Sequence, residues 1–191
     1  MEQLQPRAAG ASGWANLAGA GLFAYTACMP DIHTLRRILG TCKTLAVVGL
    51  SPQWHRPSFF AAKYMQGHGY RIVPVNPAAT EILGERSYPS VTAAAEALAA
   101  QGQRIDLVDC FRKSQDIPPI ADEAIAIGAR CLWLQIGVIH EPAAAKARAA
   151  GLDVVMDRCV KIEHARLFGG LGWAGVNTRV ISSRRPQHLP Y

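Results

Sequence analysis

Residues 44–58 read TLAVVGLSPQWHRPS: an apolar run that ends in Gly49, passes through a polar loop and meets a proline at position 57. The run from Thr44 to Leu50 is short, continuous and rich in aliphatic residues, the pattern of a strand buried on both faces. Pro57 suits the first position of a helix, where its missing N–H is no loss, and the helix expected from there to Gln66 is closed by Gly67 and Gly69. Strand, loop, helix is how a doubly wound α/β fold begins.

The same rhythm extends outward. Upstream, Ile32, Leu35, Ile38 and Leu39 fall on one face of a short amphipathic helix, with Gly40 as its stop. Downstream, strands expected at 70–75, 105–111, 131–135 and 154–156 alternate with helices at 90–100, 118–127 and 141–150. The segment between the second strand and the next helix reads as a Pro/Asn/Gly loop, and His140-Glu141-Pro142 as a helix start rather than a catalytic dyad. The fold class expected is α/β: a doubly wound, Rossmann-like parallel sheet of about five strands with helices on both faces, over residues 30–167. Right-handed crossovers put every strand's C-terminal end, and with them a ligand crevice, on one edge.

Composition bounds the partners. With 191 residues, 50% of them hydrophobic and 18% charged, the chain fits one globular domain better than a two-domain enzyme. A formal charge of +6 asks for an anionic partner. The basic residues are scattered apart from Arg36-Arg37 and Arg184-Arg185, which favours a phosphorylated small molecule over nucleic acid. The five cysteines form no CxxC pair and are odd in number, so a reducing cytoplasm is expected rather than a disulfide framework. No run approaches the roughly 18 apolar residues of a spanning helix, so no membrane partner is expected. Residues 1–29, Ala- and Gly-rich without a period, read as a poorly structured extension or as sequence ahead of a true start at Met29. A secretory signal is the lesser alternative, given Glu2 and the interspersed glycines. Residues 168–191 read as a Gly-rich basic tail.

The chemistry concentrates in the loops. The turn after the first strand lacks GxGxxG, matching it only at Gly49, and instead carries Ser51, His55, Arg56 and Ser58, which can hold phosphate beside the free N–H groups of the helix begun by Pro57. An ordinary loop with a helix cap is the plainer alternative. A dinucleotide site usually has a carboxylate at the end of the second strand; here that end is Val75-Asn76-Pro77, and no carboxylate follows until Glu81. Arg112, just past the third strand, can fork onto a phosphate or make a surface salt bridge. Cys159, beside Arg158, reads as a buried structural cysteine by default and as a low-pKa thiol at a helix start in the alternative. Asp157, Cys159, Glu163 and His164 match no standard zinc spacing.

The segments VVGLS, RPS, PVNP with EILGE, VDCFR, EAIAIGA, LWLQIGV and VVMDRC, in this order and spacing, resemble the small bacterial CoA-binding proteins, themselves similar to the CoA-binding domain of the succinyl-CoA synthetase alpha chain. The resemblance covers Asp31 to Leu167. It implies coenzyme A as ligand, with Gly49, Ser51, Arg56, Pro57 and Ser58 on its phosphates and Val75, Asn76 and Pro77 at the adenosine end. Phe111, Arg112, Gln135 and Ile136 would line the rest of the groove. Ligase activity is not expected, because the residues after Leu167 are too few for the phosphohistidine domain of a synthetase. The expectation is a CoA or acyl-CoA binding protein; an NAD(P)-dependent oxidoreductase on the same fold is the competing reading, and a subunit that docks on another chain a third.

Overall fold

Each apolar run becomes a strand of one parallel sheet, and the sheet grows outward from β1 (Thr44–Val48). The computed structural model describes residues 30–169, so the expectations for 1–29 and for the tail beyond Gly169 lie outside the described residues. The chain enters through α1 (Ile32–Thr41), whose N-cap Asp31 accepts a hydrogen bond from Thr34 N at 2.7 Å. Gly40 does not stop this helix; it lies inside, one residue before the end. After β1 come α2 (Pro57–Gly67) and β2 (Arg71–Val75).

The expected loop after β2 contains a hairpin, β3 (Glu81–Ile82) and β4 (Glu85–Arg86), turned by Leu83 and Gly84. Both turn residues have positive φ, 58° and 76°, as a two-residue hairpin turn of the primed kind requires. The rest alternates regularly: α3 (Val91–Ala99), β5 (Leu107–Cys110), a 3₁₀ turn over Ser114–Asp116 running into α4 (Ile117–Ala126), β6 (Cys131–Leu134), α5 (Glu141–Ala149), β7 (Asp153–Val155) and α6 (Val160–Phe168). Phe168, expected in the tail, closes α6.

The five long strands pair in parallel in the order β2-β1-β5-β6-β7, with Val47 opposite both Pro74 and Asp109, and Asp109 opposite Trp133. Alternation along each strand sorts the core into two layers. Ala46, Val48, Val108, Cys110, Leu132 and Leu134 point to the face covered by α3, α4 and α5. Leu45, Val47, Leu107, Cys131 and Trp133 point to the face covered by α1, α2 and Val160 of α6. The chain leaves β1 for β2 on one side and later returns to β5 on the other, so the loops after β1 and β5 part company at the middle of the sheet. That reversal of strand order opens a crevice at the C-terminal edge.

Candidate ligand groove

Gly49 follows β1 at the reversal point, and the fold needs a glycine there for two reasons. Its φ is +82°, and a Cβ on it would sit 2.6 Å from the Phe111 carbonyl oxygen and 2.8 Å from Arg112 Cδ. The loop after β5 therefore lies directly against the loop after β1. Hydrogen bonds fix the junction: Gly49 N donates to Val75 O and Phe111 N to Val48 O, both at 2.9 Å.

Two cavities meet at Gly49. One, of about 370 Å³, is lined by Val48, Val75, Asn76, Pro77, Pro89, Ser90 and Val91 on the β2 side, and by Arg112, Gln115, Asp116, Pro119, Ile120 and Glu123 from the loop and helix after β5. The other, of about 530 Å³, is lined by Ser51, Gln53, Arg56, Pro57 and Ser58 from the first turn and by Phe111, Gln135, Ile136 and Val138 from the loops after β5 and β6. All twelve residues singled out in the sequence line one lobe or the other, with Gly49 in both.

The first turn is shaped by its own side chains. Ser58 is buried and its Oγ accepts from Ser51 N at 3.1 Å, while Ser51 Oγ accepts from Gln53 N at 3.2 Å. Arg56 is the N-cap residue of α2 without a side-chain capping bond, and Pro57 takes the first helical position. The amino end of α2 thus faces the larger lobe with no side chain closing it, and the exposed Arg56, held by Gln53 Oε1 at 3.0 Å, stands beside it. Pro57 has no N–H, and Phe59 N and Phe60 N donate to Arg56 O at 3.0 and 3.3 Å, so the Ser58 N–H, the helix dipole and the guanidinium are what favour an anion here.

Asn76 serves the scaffold. Its Nδ2 donates to Leu50 O at 2.8 Å and its Oδ1 accepts from Ala78 N at 2.9 Å, tying the loop after β2 to the loop after β1. No carboxylate occupies the end of β2. Arg112 and Asp116 are 3.9 Å apart and both half exposed, a loose contact that leaves the guanidinium on the rim of the smaller lobe. Ser90, Gln115, Asp116, Pro119 and Glu123 line that lobe without any sequence signal. They reach it from a helix cap, a 3₁₀ turn and a helix face whose direction only the packing sets.

Beneath the larger lobe lies a buried polar pair. Asp109 is 1% exposed and Gln135 4%, and Gln135 Nε2 donates to Asp109 Oδ1 at 2.7 Å. Burial pushes the Asp109 carboxyl up to about 7, against the opposing pull of the Gln135 hydrogen bond. Gln135 thus spends its amide nitrogen on a side chain rather than on buried backbone. Cys159 caps the start of α6, but burial drives its thiol up, outweighing the helix-start N–H groups of Ile162 and Lys161, so the low-pKa reading fails. Among the described residues no group of three or more His, Cys, Asp or Glu could hold a metal, and no helix is long and apolar enough to cross a membrane.

Comparison with known proteins agrees with this geometry. A family described as a CoA binding domain matches residues 43–165, from the residue before β1 to the body of α6. The protein YneT of Bacillus subtilis is 37% identical over 136 residues, covering 71% of this chain and 96% of its own. A solved structure from Pyrococcus horikoshii superposes with a TM-score of 0.67 at 36% identity, covering 73% of this chain and 94% of the other. One from Thermus thermophilus gives 0.63 at 31% identity, over 73% of this chain and 100% of the other.

Proposed function

The chain belongs to the CoA-binding domain family, and from that premise we propose that it is a binding module holding coenzyme A, or an acyl-CoA, in the two-lobed groove. The observation that supports this is convergence: residues from five separate segments, each following a strand or opening a helix, line two cavities that share Gly49 at the reversal of strand order. The open amino end of α2 with Arg56 suits the pyrophosphate. The smaller lobe, walled by Val75, Pro77 and Pro89, suits the adenosine, with Arg112 at its rim for a phosphate. The remainder of the larger lobe, over Phe111, Gln135 and Ile136, suits the arm that ends in the thiol. The free thiols of Cys42, Cys110, Cys131 and Cys159 fit work in a reducing cytoplasm. Ligase chemistry forms no part of the proposal.

Calorimetric titration with CoA, dephospho-CoA and NAD tests it. CoA is expected to bind tightest of the three, and Arg56→Ala and Arg112→Ala each to weaken it by about 10- to 150-fold, less at high salt, without unfolding the protein. An arginine on the 3′-phosphate would, once replaced, discriminate less between CoA and dephospho-CoA. Tighter binding of NAD than of CoA, or unchanged affinity in both variants, overturns the assignment.

A further inference from the structure

The larger lobe is not uniform. The turn after β1 brings Ser51, Gln53, Arg56 and Ser58 to it; the loops after β5 and β6 bring Phe111, Ile136 and Val138 with a single polar side chain, Gln135. Gln135 is fixed from below, because Nε2 donates to Asp109 Oδ1. A carboxamide carries its two polar atoms on opposite sides of one carbon, so an amide nitrogen turned down to Asp109 turns the oxygen up. That oxygen, Oε1, has no protein partner among the described residues, and its residue lines the cavity.

We infer that Asp109 is a positioning residue: it orients Gln135 so that Oε1 meets the groove as an acceptor, and the pair selects a ligand segment that is apolar apart from an N–H donor, the amide-bearing arm of a pantetheine-type ligand. An oxygen acceptor backed by a carboxyl group repels phosphate, which assigns the phosphates to Arg56 and the turn after β1 in the same lobe. The groups surrounding Asp109 support the arrangement. It lies between Val47 of β1 and Trp133 of β6. The titratable groups its charge reaches are the thiols of Cys110, Cys131 and Cys159, all raised by burial and hence neutral near pH 7. With no cation holding it, the carboxyl is served by the Gln135 amide alone among the described side chains.

This inference rests on the groove binding CoA, and the experiment separates the two. Binding of CoA is compared with that of adenosine 3′,5′-bisphosphate, which lacks the arm, by calorimetry on the full chain. Gln135→Leu is expected to weaken CoA by about tenfold, the worth of one hydrogen bond, and to leave the bisphosphate unchanged. Asp109→Leu should give the same selective loss, and the double variant no more than either alone. Asp109→Asn, which can still accept from Nε2, should restore CoA affinity. Should Asp109→Leu prove unstable, Asp109→Ser, too short to reach Gln135, takes its place. Equal losses for both ligands in Gln135→Leu, or an unchanged ratio when Asp109 is shortened, overturn the inference while leaving CoA binding intact. A wild-type chain that binds neither ligand overturns the reading of the groove and this inference with it.

Discussion

The two faces of the sheet are built on opposite plans. Under α3, α4 and α5 the strands present only Ala, Val, Leu and Cys, and the buried side chains of those helices are aliphatic. Under α1, α2 and α6, the core of Leu45, Ile72, Met65 and Trp133 is interrupted by Asp109, Gln135, Glu163 and His164, all nine-tenths or more buried. Glu163 takes hydrogen bonds from Arg158 at 2.9 Å and from Arg166 at 3.2 Å. His164 sits among Tyr64, His68, Tyr70 and Phe168, with Tyr64 Oη 3.2 Å from its Nδ1. The dry face supplies stability that pH does not touch. The polar face gives up stability to hold ionisable groups, one of them directly under the groove.

Breaking the dry face should give the largest change. Leu132→Ala, in a central strand and fully buried, is expected to cost about 4 kcal/mol by lost transfer energy and the cavity it leaves, equally at pH 5 and pH 8 in urea unfolding. A pH-dependent cost would show that this face is coupled to the other.

On the polar face the next largest effect has the opposite sign. The folded-state pKa of Asp109 is raised above its unfolded value, so its stability contribution is whole below about pH 4 and is lost as pH rises to about 7, where the native carboxyl also ionises. Asp109→Asn should therefore stabilise the protein by about 2 kcal/mol at pH 8, roughly half the full shift because the Asn amide is still buried, and the gain should vanish at pH 4. Thermal unfolding at the two pH values checks it, and destabilisation at pH 8 would mean that the carboxylate has a stabilising partner.

A smaller loss is expected for Glu163→Gln. The two arginines are about three-quarters buried and now bond separate carboxylate oxygens; a carboxamide keeps an acceptor for only one of them and turns an NH2 toward the other, and both lose the charge, for about 1.5 kcal/mol. Smallest is His164→Phe. Burial, with His68 and Lys43 nearby, lowers the native pKa of His164, so the wild type loses stability as pH falls below the usual histidine value. The variant should lack that acid-side loss while matching the wild type at pH 8; an unchanged midpoint shift between pH 7 and pH 5 would assign the acid sensitivity elsewhere.

Most of the architecture was legible because a strand buried on both faces must be apolar at every position, and Thr44–Val48, Leu107–Cys110 and Cys131–Leu134 are nearly so. The hairpin at 81–86 was not, since two-residue strands carry no period and Leu83 is not a residue that announces a positive φ. In the groove, the twelve residues came from the resemblance to the CoA-binding proteins, and they could be placed on one edge by the pattern of strands and helices because they lie at strand ends or at the helix start that follows. Ser90, Asp116 and Glu123 could not, because which way a helix turns its side chains depends on how it packs.

The sequence alone thus determined the alternation of strands and helices, the edge on which the loops meet and the helix start at Pro57, since these follow from local periodicity, proline's fixed φ and chain chirality. Only the tertiary structure decided that Asp109 and Gln135, 26 residues apart, share one hydrogen bond under the groove. In the sequence Asp109 is one carboxylate interrupting an apolar run. Its meaning comes from the neighbouring strands, which take water away from it and leave a single amide in reach.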